Sequence, residues 1–183
     1  MQKQILFIQG GGPGTHDNWD NKLVESLRRE LGPGYEILYP RMPNEDDPSY
    51  SLWKAALANE IEDLDEGAVL IGHSIGGTIL INFLAEARPN LKFDGICLIA
   101  APFVGAGGWP GDEIDMTANL GEKLSPQTPI YIYHGTEDDT APLAHMDLYQ
   151  KVIPGAIMRR LIGRDHQLNN NLAEVAEDIL TLS

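Results

Sequence analysis

Cysteine, basic residues and long apolar runs are all scarce in this sequence. It has one cysteine and only 13 Lys and Arg against 27 Asp and Glu, which gives a formal net charge of −14. A single thiol can form neither an internal disulfide nor a cysteine-rich zinc site. Binding to nucleic acid or to anionic membranes needs clustered Lys and Arg, so the composition argues against both kinds of partner.

No apolar run approaches the roughly 20 residues of a membrane-spanning helix. The N-terminal segment has only four consecutive apolar residues, at positions 5–8, which is too short for the core of a signal peptide. The interpretation is a cytoplasmic protein in a reducing compartment. With 43% hydrophobic residues in a chain of 183, we expect a single domain over residues 1–183.

Short apolar segments alternate with amphipathic stretches along the whole chain. Continuous apolar runs, such as residues 96–99, are typical of strands covered on both faces, as in a parallel sheet. The alternation predicts an α/β fold: a three-layer, doubly wound sandwich around a mostly parallel six-stranded sheet. The predicted strands are Ile5–Gln9, Tyr35–Tyr39, Val69–His73, Gly95–Ala100, Ile130–His134 and Ile157–Ile162. The predicted helices are Asn18–Leu31, Ser49–Leu64, Gly76–Ala87, Asp112–Leu124, Leu143–Ile153 and Leu168–Leu182.

One short motif makes a specific chemical prediction. Gly72-His73-Ser74-Ile75-Gly76-Gly77 stands between a predicted strand and a predicted helix. Glycine two places on either side of the serine lets the chain turn sharply, which is the nucleophile-elbow pattern. The start of the following helix offers free backbone N–H groups to an oxyanion. We therefore expect Ser74 to be a nucleophile.

A serine nucleophile needs a base, and the base needs a carboxylate that orients it. His166 follows the sixth predicted strand and Asp138 follows the fifth, so both would meet Ser74 at the carboxyl edge of one parallel sheet. The chain order Ser, Asp, His is the one typical of this motif. Glu137 and Asp139 flank Asp138 and could take its place as the acid.

The remaining histidines are interpreted differently. His134, His145 and His73 are weaker candidates for the base, and His73 is expected to point to the opposite side of the turn from Ser74. The histidines and carboxylates show no metal-ligand spacing, so no metal site is predicted.

A second glycine-rich segment, Gly10-Gly11-Gly12-Pro13-Gly14, follows the first strand. It lacks the Gly-Lys-Ser/Thr of a P-loop, and a dinucleotide G-x-G-x-x-G would need glycine at Thr15, so no nucleotide cofactor is expected. The better interpretation is an oxyanion loop whose backbone approaches an acyl group closely. The expected donors are the N–H groups of Ile75 and Gly11, with Gly12 as the alternative to Gly11.

Two long loops follow the second and fourth strands, at residues 40–48 and 101–111. Both leave the carboxyl ends of strands, where open α/β sheets bind ligands. Met42, Phe103 and Trp109 could line a substrate pocket there, or pack in the core or at the surface. Gly12 and His16, from the loop after the first strand, are further candidates to line that pocket.

Together these features resemble the α/β-hydrolase superfamily, and in detail the small lidless serine hydrolases that include the retinoblastoma-binding serine hydrolase group. The residues that carry the resemblance are the glycine loop followed by His16 and Trp19, the elbow, Ala101-Pro102-Phe103, and Gly135-x-x-Asp138-x-x-Ala141-Pro142. The resemblance implies a minimal fold without a cap domain. Two positions depart from the family pattern: Gln9 stands where a histidine is common, and Arg164-Asp165 precedes His166 where two glycines are usual.

The expected activity is hydrolysis of a small ester, thioester, lactone or amide through an acyl-enzyme, with a small acyl compound as the partner and no cofactor. Two alternatives stay open: a non-catalytic protein-binding module on the same fold, and an acyltransferase or perhydrolase that uses the same site. The sequence does not indicate an oligomeric state.

Overall fold

Six parallel strands form one open sheet in the computed structural model, in the spatial order β2-β1-β3-β4-β5-β6. The structure describes residues 2–111, 113, 114, 116 and 119–182. The strands are β1 (Lys3–Ile8), β2 (Tyr35–Leu38), β3 (Val69–His73), β4 (Gly95–Ile99), β5 (Ile130–Gly135) and β6 (Ile157–Leu161). All six predicted strands are confirmed, with ends that differ by no more than two residues.

Helices cover both faces of the sheet, which confirms the three-layer α/β architecture. They are α1 (Asn21–Leu31), α2 (Tyr50–Glu62), α3 (Ile75–Ala87), α4 (His145–Val152) and α5 (Ala173–Leu180). Leu27 of α1 and Val175 of α5 share one apolar cluster with the sheet face that carries Phe7. Helices α2, α3 and α4 pack on the opposite face, whose cluster includes Leu6. Because successive side chains of a strand point to opposite faces, the apolar runs of the central strands supply both cores at once.

The order in which strands are added to the sheet reverses at β1. The chain adds β2 on one side of β1 and then returns to add β3 on the other side. In this register Ile8 pairs with Gly72, so the loop after β1 and the turn after β3 lie side by side. Such a reversal leaves a crevice at the carboxyl edge, where doubly wound sheets bind ligands. The fold thus brings the two glycine-rich segments together.

Three predicted helices differ from the structure. A π-helical turn at Thr15–Asp20 precedes α1. The helix predicted from Leu168 begins only at Ala173. Leu168–Asn170 form a 3-10 turn instead, because all three residues have positive φ and a right-handed α-helix cannot include them. Among the described residues, no helix is long and apolar enough to cross a membrane.

The predicted helix Asp112–Leu124 is wrong over its described part, which contains only a 3-10 turn at Gly121–Lys123. Asp112, Asp115, Thr117 and Ala118 lie outside the described residues. Tertiary contacts hold the rest of the segment: Glu113 accepts a hydrogen bond of 2.6 Å from the N–H of Tyr50 at the start of α2, and the N–H of Met116 bonds to the carbonyl of Val104 at 3.0 Å. These partners are distant in sequence, so the local pattern of apolar residues could not predict them.

Candidate active site

Ser74 lies on a sharp turn between β3 and α3, with φ 50° and ψ −133°. The glycines around it are required by close packing. A Cβ at Gly72 would lie 2.5 Å from the Cα of Gly77, and one at Gly76 would overlap the carbonyl oxygen of Gln9. The strand end and the helix start can therefore approach each other only without side chains, and the turn holds Ser74 at the carboxyl edge of the sheet.

The loops after β5 and β6 bring a carboxylate and an imidazole to this serine. The Oγ of Ser74 lies 3.0 Å from Nε2 of His166, and Nδ1 of His166 lies 2.8 Å from Oδ2 of Asp138. Glu137 and Asp139 are exposed, whereas the side chain of Asp138 is fully buried. Of the three candidate carboxylates, Asp138 is the one that the structure places against His166.

Asp138 accepts hydrogen bonds at both of its oxygens. Oδ1 accepts the N–H groups of Thr140 at 2.9 Å and Ala141 at 2.8 Å. Oδ2 faces Nε2 of His134 at 3.2 Å as well as His166. Burial by itself would raise the pKa of Asp138, but the hydrogen bonds from His134 and His166 outweigh burial and hold that pKa well below its ordinary value. The carboxyl group is therefore ionised wherever the protein is folded near neutral pH.

Of the three glycines of this loop that line the cleft with Ser74, only Gly11 has a backbone N–H without an acceptor among the described residues. The N–H of Gly10 bonds to Asp20 at 2.7 Å, and that of Gly12 bonds to the carbonyl of Glu45 at 2.6 Å. No acceptor for the N–H of Gly11, or for that of Ile75 at the start of α3, is found in the described part of the chain. Free donors are what an oxyanion site requires, so this pattern favours Gly11 over Gly12 as the partner of Ile75.

The sequence matches a known protein family, in keeping with the serine elbow, the Ser–His–Asp chain and the glycine loop on an open parallel sheet. Residues 5–177 match the profile of the family described as "Alpha/beta hydrolase family". The chain belongs to the α/β-hydrolase family. No group of three or more His, Cys, Asp or Glu side chains arranged to hold a metal is found in this α/β hydrolase among the residues described.

Individual relatives show how far the likeness extends. This α/β hydrolase is 27% identical over 100 residues to YdeN of Bacillus subtilis (strain 168), which is named as a hydrolase. That match covers 55% of this chain and 51% of YdeN, so it spans about half the length of the relative. The solved structure of the B. subtilis ydeN gene product superposes with a TM-score of 0.74 at 18% identity, over 98% of each chain.

Two esterase structures share the fold. Est1E from Butyrivibrio proteoclasticus, solved with ferulic acid, has a TM-score of 0.67 at 16% identity, over 97% of this chain and 86% of its own. RhEst1 from Rhodococcus sp. ECU1013 has a TM-score of 0.69 at 17% identity, over 100% of this chain and 92% of its own. At these identities the likeness establishes the α/β-hydrolase fold.

Gln9, which departs from the family pattern, is buried and ties the glycine loop of this α/β hydrolase to the loop after β2. Its Nε2 donates to Glu45 at 2.6 Å, and its Oε1 accepts the N–H of Met42 at 3.1 Å. Glu45 also accepts the N–H of His16 at 2.9 Å and pairs with Arg41 at 3.0 Å. The amide of Gln9 can donate and accept at the same time, so it bridges two segments in a way that a carboxylate could not.

A cleft of about 280 Å³ opens beside Ser74 and His166. Its other lining residues are Gly10, Gly11, Gly12, Pro13, Thr15, Trp19, His73, Thr140 and Gln167. A smaller hollow of about 180 Å³ borders Ile75. That hollow is further lined by Pro48, Tyr50, Ile79, Val104, Pro110, Gly111, Glu113 and Ile114. Apolar surface makes up the larger part of the lining of both spaces, so they differ in size more than in polarity.

The residues predicted to line the pocket divide into two groups. Gly12 lies in the cleft. The other residues pack elsewhere: His16 stacks on Tyr39 at 4.1 Å, Trp109 packs edge-on against His145 at 5.9 Å, Phe103 is buried against Tyr149 and Met42 is buried in the core. Trp19, Thr140 and Gln167 were not predicted as site residues, although the His16…Trp19 spacing after the glycine loop is a signal for Trp19.

Proposed function

We propose that this α/β hydrolase is a serine hydrolase that cleaves small carboxylic esters, with thioesters, lactones and amides as related substrates. The observation that carries the proposal is the hydrogen-bonded chain from Ser74 Oγ to His166 Nε2 at 3.0 Å and from His166 Nδ1 to Asp138 Oδ2 at 2.8 Å. The fold likeness to the esterases Est1E and RhEst1 supports an ester in preference to the other acyl compounds.

In the proposed reaction, Nε2 of His166 takes the proton of Ser74 as Oγ attacks the carbonyl carbon of the ester. The tetrahedral oxyanion accepts the N–H groups of Gly11 and Ile75, which have no other acceptor among the described residues. The imidazolium gives its proton to the departing alkoxide, which leaves as an alcohol. Water then repeats the sequence on the acyl-serine, releasing a carboxylic acid and restoring Ser74 and neutral His166.

Asp138 has two roles in this scheme. Its hydrogen bond to Nδ1 holds His166 in the tautomer that leaves Nε2 free to accept a proton, and its charge stabilises the imidazolium. His134 and the two backbone donors keep the carboxylate ionised and correctly oriented. We therefore propose that His134 orients Asp138 and keeps it ionised, and that it is not the catalytic base.

The sizes of the two spaces indicate small substrates. Both the cleft of about 280 Å³ and the hollow of about 180 Å³ lie below the roughly 300 Å³ at which drug-sized ligand pockets begin. The smaller hollow at Ile75 suits a short acyl chain, and the larger cleft toward Trp19 and Thr140 suits the alcohol. We expect nitrophenyl acetate and butyrate to be hydrolysed faster than long-chain esters.

Labelling with a fluorophosphonate and turnover of nitrophenyl butyrate test the proposal together. Ser74→Ala should abolish labelling and lower kcat by about 10⁶-fold, because the triad acts as a unit. Ser125→Ala removes an exposed serine and should leave both signals unchanged. Failure of the folded protein to label, or turnover that survives in Ser74→Ala, would refute the proposal. A protein that labels but makes more product when alcohols or peroxide are added would be an acyltransferase or perhydrolase.

A further inference from the structure

His73 and Asp20 form a buried pair next to the nucleophile that the reaction scheme above does not use. Nδ1 of His73 lies 2.9 Å from Oδ2 of Asp20, and the side chains are 1% and 0% exposed. On the other side of the ring, Nε2 of His73 lies 3.1 Å from the carbonyl oxygen of His166. His73 contacts the backbone of the candidate base, and among the described residues the Oγ of Ser74 bonds to the ring of His166 and not to His73.

The hydrogen-bond geometry favours one assignment of charges for this pair. A backbone carbonyl can only accept, so the contact with His166 requires a hydrogen on Nε2 of His73. Asp20 already accepts the N–H of Gly10 at Oδ2, at 2.7 Å, and the Nε2–H of Gln167 at Oδ1, at 3.2 Å. Donors at both of its oxygens favour the carboxylate form of Asp20, which places the second hydrogen on Nδ1 of His73. The pair is an imidazolium and a carboxylate.

The direction of the pKa shifts agrees with this assignment. Burial by itself would lower the pKa of His73, but the charge and hydrogen bond of Asp20 outweigh burial and raise it. Burial would raise the pKa of Asp20, and His73 together with the N–H of Gly10 outweighs that effect and lowers it. A buried charged pair persists when its partners and further hydrogen bonds compensate for lost hydration, as they do here.

We propose that His73 and Asp20 are positioning residues that hold the base and the oxyanion loop in register with Ser74. His73 adjoins the serine in the chain and fixes the backbone of His166. Asp20 fixes the N–H of Gly10, the residue that precedes the expected oxyanion donor. One ion pair thus connects the loops after β1, β3 and β6. The inference rests on the proposed function, because the register matters only if these loops carry the reaction.

The pair also predicts an effect of alkaline pH. The charged and titratable groups that face His73 are Asp20 before α1, Asp138 after β5 and His166 after β6, whose ring centroid lies 5.0 Å away. If His73 loses a proton, the remaining hydrogen stays on the side of Asp20, and a lone pair faces the carbonyl of His166. The bond that holds the base is then lost, so kcat should fall at alkaline pH.

Two substitutions at His73 separate its two bonds. The amide nitrogen of Asn lies near the position of Nδ1, so His73→Asn keeps a donor for Asp20 and loses the one for His166. His73→Gln places its amide near Nε2 and does the reverse. We expect His73→Asn to lower kcat about 10- to 100-fold with little change in KM, because ångström-scale misplacement of catalytic groups costs about 100-fold. His73→Gln should recover part of that loss.

Thr128→Val is the matched control. It removes a buried hydrogen bond of 3.1 Å to the carbonyl of Phe93, near the amino end of β4 and away from the serine. It should lower stability without lowering kcat per fluorophosphonate-titrated site. If His73→Asn behaves like Thr128→Val in kcat per titrated site, the positioning role is refuted.

A second measurement does not depend on turnover. Nitrogen-15 NMR of the histidine rings at pH 7.5 should show both nitrogens of His73 protonated in the wild-type protein and in Ser74→Ala. A ring with one unprotonated nitrogen would overturn the assignment even if the variants lose activity. Persistent turnover in Ser74→Ala would instead refute the proposed function, so the two failures can be told apart.

Discussion

Backbone strain at Ser74 predicts that Ser74→Gly is more stable than Ser74→Ala. Ser74 has φ 50° and ψ −133°, a region that residues with a Cβ rarely occupy. A non-glycine residue held there costs about 1–3 kcal/mol, and glycine relieves most of that cost. Ser74→Ala keeps the Cβ and the strain. Both variants lose the hydrogen bond to His166, so their difference isolates the backbone.

The size of the effect follows from two opposing terms. Relief of strain favours Ser74→Gly by about 1–3 kcal/mol, and the extra freedom of glycine in the unfolded chain costs it about 0.5–1 kcal/mol. At the middle of both ranges, Ser74→Gly should therefore be more stable than Ser74→Ala by about 1 kcal/mol. At about 2–4 °C per kcal/mol for a chain of this size, the Tm of the two variants should differ by about 2–4 °C.

Thermal and urea unfolding followed by circular dichroism measure this difference. The control is the same pair of substitutions at Ser51, which lies in the first turn of α2 with ordinary helical geometry. There alanine should be the more stable variant, by about 0.5–1 kcal/mol, so the sign reverses. If Ser74→Ala proves as stable as Ser74→Gly, the elbow does not store strain and the reasoning fails.

Three further predictions concern the acid and the elbow. Asp138→Asn should lower kcat by about 10⁴-fold in a nitrophenyl ester assay, because an amide favours the wrong tautomer of His166; a loss under 10-fold would exclude Asp138 as the orienting acid. The pKa of Asp138 is held below its ordinary value of 3.8, so the stability that it contributes is present above that pH and lost as pH falls below it. The difference in unfolding free energy between wild type and Asp138→Asn should therefore shrink under acid, and urea titrations from pH 7 to pH 2.5 would contradict this if it grew. Gly76→Ala should prevent folding or displace β1, because its Cβ would overlap the carbonyl of Gln9, whereas Gly155→Ala meets nothing within 4 Å and should fold normally in the same soluble-expression test.

The elbow and the strands could be predicted from the sequence because each depends on neighbouring residues. The glycines at 72, 76 and 77 allow the close approach that the turn requires, and the run at 96–99 is apolar because β4 is buried on both faces. The segment 112–124 contains a helical pattern too, yet Glu113 caps α2 and Met116 bonds to Val104 instead. In this segment the contacts with residues distant in sequence outweigh the local helix propensity.

The candidate site shows the same division. Sequence order and position after strands were enough to single out Ser74 and His166, but they left three adjacent carboxylates as the acid. The choice of Asp138 depends on how the loop turns inward so that Oδ1 meets the N–H groups of Thr140 and Ala141. Phe103 and Trp109 follow a strand at the correct edge, yet they pack away from the cleft because their loop folds onto α4.

The sequence by itself determined the α/β class, the glycine-dependent turn at Ser74 and the residues available for acyl chemistry, because these depend on spacing within a few residues. Only the tertiary structure decided that Asp138 faces His166, that the N–H of Gly11 has no acceptor among the described residues, and that Asp20 is buried against His73. Asp20 looks like an ordinary polar residue at a helix start. Its side chain bonds to Gly10 nearby, but its other two partners lie more than 50 residues away in the chain, since the Asp20–His73 bond spans 53 residues and the Asp20–Gln167 bond spans 147.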